Sequence, residues 1–249
     1  MSERAASLEP CTLLPWDTDF WGFPIARLHV ATLDAEGVRS AVDWCSRHGV
    51  RCLYFLADGG CPRTLALAHE HAFRFVDIRV ELSLPLPRTP HAAPPSAGPH
   101  VRTASAADIP SLRKLAAAAH HDTRFFKDDR FDAGRAAELY EAWITRDLQR
   151  DAVLVCDSPS QPGTACGYVT CELDDRSLEG QIGLIAVASQ HENAGLGAAL
   201  VGAALGKFTA AGMTSSRVVT QGTNIRALRM YERCGFRTTR ARVWFHRWF

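Results

Sequence analysis

Ser189-Gln190-His191-Glu192-Asn193-Ala194-Gly195-Leu196-Gly197-Ala198-Ala199-Leu200 is the stretch on which the reading of this chain turns. A β-type run, Gly180 to Ala188, leads into it and a long Ala/Leu helix leaves it. Gly195 and Gly197 remove Cβ atoms where a ligand must approach the backbone. The first turn of the following helix offers unpaired N–H groups and the positive end of its dipole. Strand, glycine turn and helix start therefore suit the pyrophosphate of a nucleotide-containing cofactor. Two common versions of such a cradle are excluded. Leu200 stands where a dinucleotide fingerprint needs its third glycine, and no acidic residue follows before Glu232. A Walker loop needs Gly-Lys-Ser/Thr, which is absent.

Downstream, the helix is expected to end near Gly212, followed by an apolar strand from Ser216 to Thr220. A polar turn, Gln221-Gly222-Thr223-Asn224, precedes a second helix from Ile225 to Arg233, closed by Cys234-Gly235-Phe236. Asn224 and Tyr231 are two helical turns apart and face one side, with the small Ala227 between them.

The 249-residue chain is long enough for one large or two modest domains, and 47% hydrophobic with 22% charged residues is ordinary for a globular protein. A net charge of +1 gives no field that would favour nucleic acid or an anionic membrane. No apolar run reaches the roughly 18 to 20 residues that span a bilayer. The start, Met1-Ser2-Glu3-Arg4-Ala5, lacks the basic-then-apolar order of a signal peptide, so the cytoplasm is the expected location. The eight cysteines include no Cys-x-x-Cys pair and read as small buried hydrophobes. No metal site is expected, since His69-x-His71 has no third ligand nearby.

In chain order, Pro15-Trp16-Asp17-Thr18-Asp19-Phe20-Trp21-Gly22-Phe23-Pro24 gathers aromatics and acids around turn residues. Strand, helix, strand, helix and one or two strands follow: Ile25 to Val30, Ala35 to His48, Cys52 to Leu56, Cys61 to His71 and Phe73 to Leu84. Residues 1–84 are thus expected to form a small α/β domain. Residues 85–100, rich in Pro and Ala, read as a linker. Residues 101–249 make the second domain. It opens with a strand at Val101 to Thr103 and a helix capped near Ser105 that runs through Ala119. A polar-aromatic stretch, His120 to Phe131, and a helix from Ala133 to Leu148 follow, then strands at Ala152 to Cys156 and Ala165 to Leu173. His120 and His121, adjacent after an alanine-rich helix, read as solvent-facing. A last strand runs to Phe249.

The set Asn224-x-x-Ala227-x-x-x-Tyr231-x-x-x-Gly235-Phe236 resembles the coenzyme-A-binding half of the GNAT acetyltransferases, and the order β-α-α-β-β-β-α-β-α-β is that of their fold. The resemblance implies an α/β (α+β) chain: a small N-terminal domain followed by a central mixed, mostly antiparallel sheet flanked by helices. Pro15-Trp16-Asp17-Thr18-Asp19-Phe20-Trp21-Gly22 resembles the start of the dTDP-4-amino-4,6-dideoxygalactose (TDP-fucosamine) acetyltransferases. Thr123 to Phe131 with Glu138-Leu139-Tyr140-x-x-Trp143-Ile144, and Arg217-Val218-Val219-Thr220-Gln221-x-x-Asn224, are similar to further parts of that group. One departure is local: where the family usually has Gln or Arg followed by Gly, this chain has Glu192 and Asn193.

The resemblance implies transfer of an acetyl group from acetyl-coenzyme A to the amine of a nucleotide-linked sugar by direct attack, without metal. It implies that backbone groups of Ile185, Ala186 and Val187 hold the pantetheine arm and thioester oxygen, where a tetrahedral oxyanion needs fixed donors. Asn193, Ala194, Gly195, Leu196, Gly197 and Ala198 would form the pyrophosphate turn, and Asn224 and Ala227 would meet the pantetheine. Tyr231 would protonate the leaving thiolate, since a phenol with a pKa near about 10 is protonated at neutral pH. Arg124, Lys127 and Arg130 can meet a diphosphate, and Phe125, Phe126 or Phe131 can stack on a thymine. Asp17, Asp19, Glu172 and Asp174 are candidate bases. The expected partner is a small molecule, a dTDP-amino sugar, with neither nucleic acid nor membrane, and the last strand offers an edge for a homodimer. Two alternatives stay open: a GNAT enzyme acting on a small amine such as an antibiotic or polyamine, and a non-catalytic coenzyme- or nucleotide-binding module.

Overall fold

The computed structural model describes residues 9–87 and 100–249. The reading of Met1 to Ala5 and most of the expected linker lie outside those residues. The described chain is mixed α/β, with ten strands in mostly antiparallel pairing flanked by helices. It falls into two compact units, Met1–Arg79 with Ala241–Phe249, and Val80–Arg240. Ala241–Phe249 therefore group with the N-terminal residues rather than with the rest of 101–249. Strand pairing is the reason, because Arg242 to Trp248 bond along Asp58 to Cys52.

In the first unit, β1 (Cys11–Leu13), β2 (Ile25–Leu28), β3 (Cys52–Asp58) and the end of β10 (Arg237–Trp248) lie side by side in that order. Helices α1 (Pro15–Trp21), α2 (Ala35–Arg47) and α3 (Pro62–Glu70) accompany them. The aromatic stretch read as a turn region is α1: Pro15 sits at its first position, where a missing N–H costs nothing, and Gly22 ends it at φ 80°. Val38, Ala41 and Cys45 place a helical stripe against Leu53, Phe55 and Phe73 in one core.

In the second unit the strand order is the end of β4 (Arg74–Pro85), β9 (Ser215–Gln221), β8 (Glu179–Val187), β7 (Gln161–Asp174), β6 (Val153–Ser158) and β5 (Val101–Thr103). Helices α4 (Ile109–Ala119), α5 (Arg124–Lys127), α6 (Ala133–Leu148), α7 (Leu196–Ala210) and α8 (Ile225–Arg233) complete it. The sequence order is as expected except for α5, one turn inside the polar-aromatic stretch His120 to Phe131. Leu82, Val169, Ile182, Leu200, Val201, Phe208, Val218 and Phe236 share one core. Arg102 anchors the start of α4 by pairing with Asp108 at 2.8 Å and with Asp157 at 2.9 Å, which holds the Asp108 carboxyl down at about 2. Gly180 is required by packing, because a Cβ there would sit 2.2 Å from the Phe208 ring.

Candidate functional site

The site begins with a change of partners along β8. Its first half is bonded on both edges, to β7 and, in parallel, to β9 from Glu179↔Ser215 to Ile182↔Val218. After Ile182 the β9 pairing stops, while β7 stays paired as far as Gly167↔Val187. The backbone of Gly183 to Val187 is therefore open on the β9 side. The register shows what drives the strands apart: Val169 faces Ile185 and Cys171 faces Ile182, so Gly183 and Leu184 together oppose Thr170. The buried Thr170 hydroxyl accepts the Leu184 N–H at 2.8 Å. A Cβ on Gly183 would lie 2.5 Å from that hydroxyl, so this glycine is what admits the bulge.

The open edge runs into the glycine turn. Ala188 N–H donates to Cys166 O at 2.8 Å, and Ser189–His191 make a single 3-10 turn. Asn193 at φ 62° and Gly195 at φ 78° then reverse the backbone into α7. Gly195 is the residue before the helix and no side chain caps it, which leaves the first N–H groups of α7 to a ligand. The two glycines serve different ends. Gly195 has open space around it and is needed for its left-handed backbone. At Gly197 a Cβ would meet Met230 Sδ of α8 at 2.7 Å, so the methionine side chain would have to move aside.

Asn224 precedes α8, and its side chain accepts the Ala227 N–H at 3.0 Å. That bond turns the carboxamide toward the helix and leaves its NH₂ as the group available to a ligand. Tyr231, two turns on, is buried in the core and stacks edge-on against Phe236 at 5.7 Å. Burial pushes its phenol up, so it is held in the protonated form.

A cleft of about 760 Å³ lies between these parts. Ile185, Ala186, Val187, Asn193, Gly195, Leu196, Gly197, Ala198, Asn224 and Ala227 all line it, which brings together ten of the residues expected at a coenzyme site. Ala194 and Tyr231 are not on its wall. The opposite wall, missed in the sequence, is Leu115, Ala118 and Ala119 of α4. The available signal was the run of small side chains at the end of that helix. Among the described residues no group of three or more His, Cys, Asp or Glu is placed to hold a metal.

Residues 115–236, which contain this whole cleft, match the acetyltransferase (GNAT) family. The chain carries a GNAT acetyltransferase domain. The curated dTDP-fucosamine acetyltransferase of Escherichia coli is 27% identical over 245 residues, covering 97% of this chain and 98% of that protein. Among solved structures, a GCN5-related N-acetyltransferase from Sphaerobacter thermophilus superposes with a TM-score of 0.67 at 15% identity, over 96% of this chain and 76% of that one. Another, from Kribbella flavida, gives a TM-score of 0.59 at 17% identity over 99% of this chain and 90% of that one. The two structures bear on the fold alone.

Beside the GNAT cleft, α4 and α6 carry an aromatic cluster. His120 Nε2 is hydrogen-bonded to the Tyr168 hydroxyl at 2.8 Å, and its ring stacks on Tyr140 at 4.7 Å. The Tyr140 hydroxyl donates to Thr123 Oγ1 at 2.8 Å. His120 is thus tied inward rather than turned to solvent, while His121 is exposed. The sequence reading failed here because Tyr168 is 48 residues away. Desolvation pulls the His120 imidazole down to about 4, so it is neutral near pH 7. Tyr168 faces Ala186 across β7 and β8, which sets this cluster directly behind the open strand edge.

The expected acceptor residues divide. Phe125 is buried against Phe131 at 5.5 Å with the Arg124 guanidinium over its ring at 4.2 Å, so neither phenylalanine presents a free face. Phe126 is half-buried beside His121 at 4.8 Å and keeps a reachable edge. Arg130 is exposed. Lys127 donates to Thr223 Oγ1 at 3.0 Å and pairs with Asp122 at 3.2 Å, tying α5 to the turn before α8. Of the candidate bases, Glu172 and Asp174 face Gln181 and Glu179, at the end of β8 that is bonded on both edges. Asp17 and Asp19 belong to α1 in the other unit.

Proposed function

We propose that the protein is an acetyl-coenzyme-A-dependent N-acetyltransferase that acts on the amine of a nucleotide-linked amino sugar. The observation that carries the coenzyme half is the open edge of β8 leading onto an uncapped helix start. An extended chain with amide groups can lie along Gly183 to Val187, and its phosphates then meet the N–H groups before and within the first turn of α7. The same edge supplies fixed donors where negative charge develops on the thioester oxygen. Tyr231, kept protonated by burial and placed off the cleft wall two turns along α8 from Asn224, is the residue to which we assign the departing thiolate's proton. The uncharged amine attacks the thioester carbon directly, its surplus proton passes to water, and no protein residue is acylated.

The acceptor half rests on the end-to-end relation to the dTDP-fucosamine acetyltransferase, which spans both units, and on the basic groups of α5 and its flanks. Arg124, Lys127 and Arg130 are suited to a diphosphate and Phe126 to a base.

The test is a thiol-release assay with acetyl-coenzyme A and dTDP-4-amino-4,6-dideoxygalactose, run beside polyamines and an aminoglycoside. Turnover with the nucleotide sugar alone is the expected result, and turnover with only the small amines sinks the acceptor assignment. Tyr231→Phe is expected to lower kcat by about a hundredfold or more with little change in KM for the coenzyme. An unchanged kcat in that variant removes Tyr231 from the proton transfer.

A further inference from the structure

Among the described residues, Glu192 is the one carboxylate on the wall of the cleft. It lies in the turn before α7, where a bound anion would be favoured. Its Oε2 pairs with Nη1 of Arg226, which also lines the cleft from the first turn of α8. The side chains are 38% and 58% exposed, so the pair sits at the mouth and a ligand can reach both partners. Arg233 also lines the cleft, so a second guanidinium faces the same space.

Glu192 thus turns its charge sideways onto Arg226 and leaves the N–H groups of α7 uncapped. We propose that Glu192 is an internal stand-in for a ligand phosphate: it occupies Arg226 until a phosphate-bearing ligand displaces it and takes the guanidinium over. The inference rests on the coenzyme reading of the cleft and adds to it a device that tempers affinity for phosphates. Exposed ion pairs hold weakly, so displacement costs little, but it must happen each time. Arg226 can give a phosphate two parallel N–H bonds, as it can a carboxylate. A ligand without phosphates gains nothing from the exchange. Glu192 therefore lowers the affinity of phosphate-bearing ligands and leaves that of a phosphate-free thiol unchanged.

Isothermal titration of the full chain tests this with three probes: coenzyme A, pantetheine (which has no phosphate) and inorganic pyrophosphate. The proteins are the wild type, Glu192→Gln, Arg226→Gln and the double variant, each checked by thermal melting. Glu192→Gln is expected to bind coenzyme A and pyrophosphate about fivefold tighter, with pantetheine unchanged. Arg226→Gln is expected to bind both phosphate ligands more weakly, and in its background Glu192→Gln brings no gain. Equal gains in both backgrounds overturn displacement, because Glu192 would then act by repulsion alone. Unchanged coenzyme and pyrophosphate affinities in Glu192→Gln overturn the proposal outright. If coenzyme A binds none of the four proteins while pyrophosphate binds Glu192→Gln tighter, the coenzyme reading fails and the stand-in role survives. Silence from both phosphate ligands overturns the two together.

Discussion

Along the cleft, the groups offered to a ligand are largely backbone: the open edge of Gly183 to Val187 and the first N–H groups of α7. In the cluster beside it they are side chains, with His120, Tyr140 and Tyr168 bonded and stacked on one another from α4, α6 and β7. The first region is made by short-range devices, namely a bulge at Gly183, a left-handed Gly195 and a cap at Asn224. The second exists only because residues tens of positions apart are packed together. A backbone site tolerates change in the side chains that surround it, provided the strand and turn geometry survive. A side-chain site loses its shape when one ring is removed.

The sharpest way to break the contrast is within adjacent residues of α5. Phe125→Ala empties a buried position between Phe131 and Trp143 and is expected to cost about 3–5 kcal/mol of stability. Phe126→Ala, half-buried, is expected to leave the melting temperature nearly unchanged while raising KM for the acceptor and sparing coenzyme affinity. Chemical denaturation and paired titrations distinguish the two. Equal stability losses would mean that both rings are plain core.

His120 gives an effect of intermediate size. Its folded-state pKa of about 4 lies below the ordinary 6.5, so the unfolded chain binds a proton that the folded chain refuses. Stability contributed by the neutral, Tyr168-bonded ring is present above about pH 6.5, falls as the pH drops toward 4 and then levels off. The loss across that window is on the order of 3 kcal/mol at most. Denaturation curves of the wild type and His120→Gln, taken between pH 7 and 4, are expected to diverge by part of that amount. Parallel curves would place the imidazole in water.

Thr170→Val is the smallest of the three effects and bears on the cleft. It strands the Leu184 N–H that Thr170 now accepts, at a cost of about 1–3 kcal/mol, and is expected to raise KM for the coenzyme as β8 loses its bulge. Thr170→Ser keeps the acceptor and is expected to restore both values. A Val variant with wild-type melting and KM would show that Gly183 alone maintains the open edge.

Much of the cleft could be read in advance because its devices are local. Gly195, Asn224 and Ala227 act on residues no more than a few positions away, so spacing alone carries them. α8 was expected from Ile225 to Arg233 and is found there, since Asn224 starts it and no later residue competes for its backbone. Gly197 lines the cleft as expected, and its contact with Met230, on a different helix, could not be read from spacing. Phe125 and Phe126 looked equivalent in sequence, and only packing against Phe131 and Trp143 buried one and left the other reachable. The same holds for His120, whose solvent-facing appearance was reversed by Tyr168. α1 was missed because Pro15 and the flanking aromatics signal a turn as readily as a helix start.

By itself, then, the order of residues determined the element sequence of the second unit, the glycine turn and the capped helix behind it, since caps, turns and periodicity are settled within one or two turns of chain. The tertiary structure decided which strand edge is left open, which ring is buried, which arginine meets Glu192, and that the final residues group with the first unit. Those outcomes depend on which distant segments pack together, and burial is a property of the packed whole rather than of any one segment.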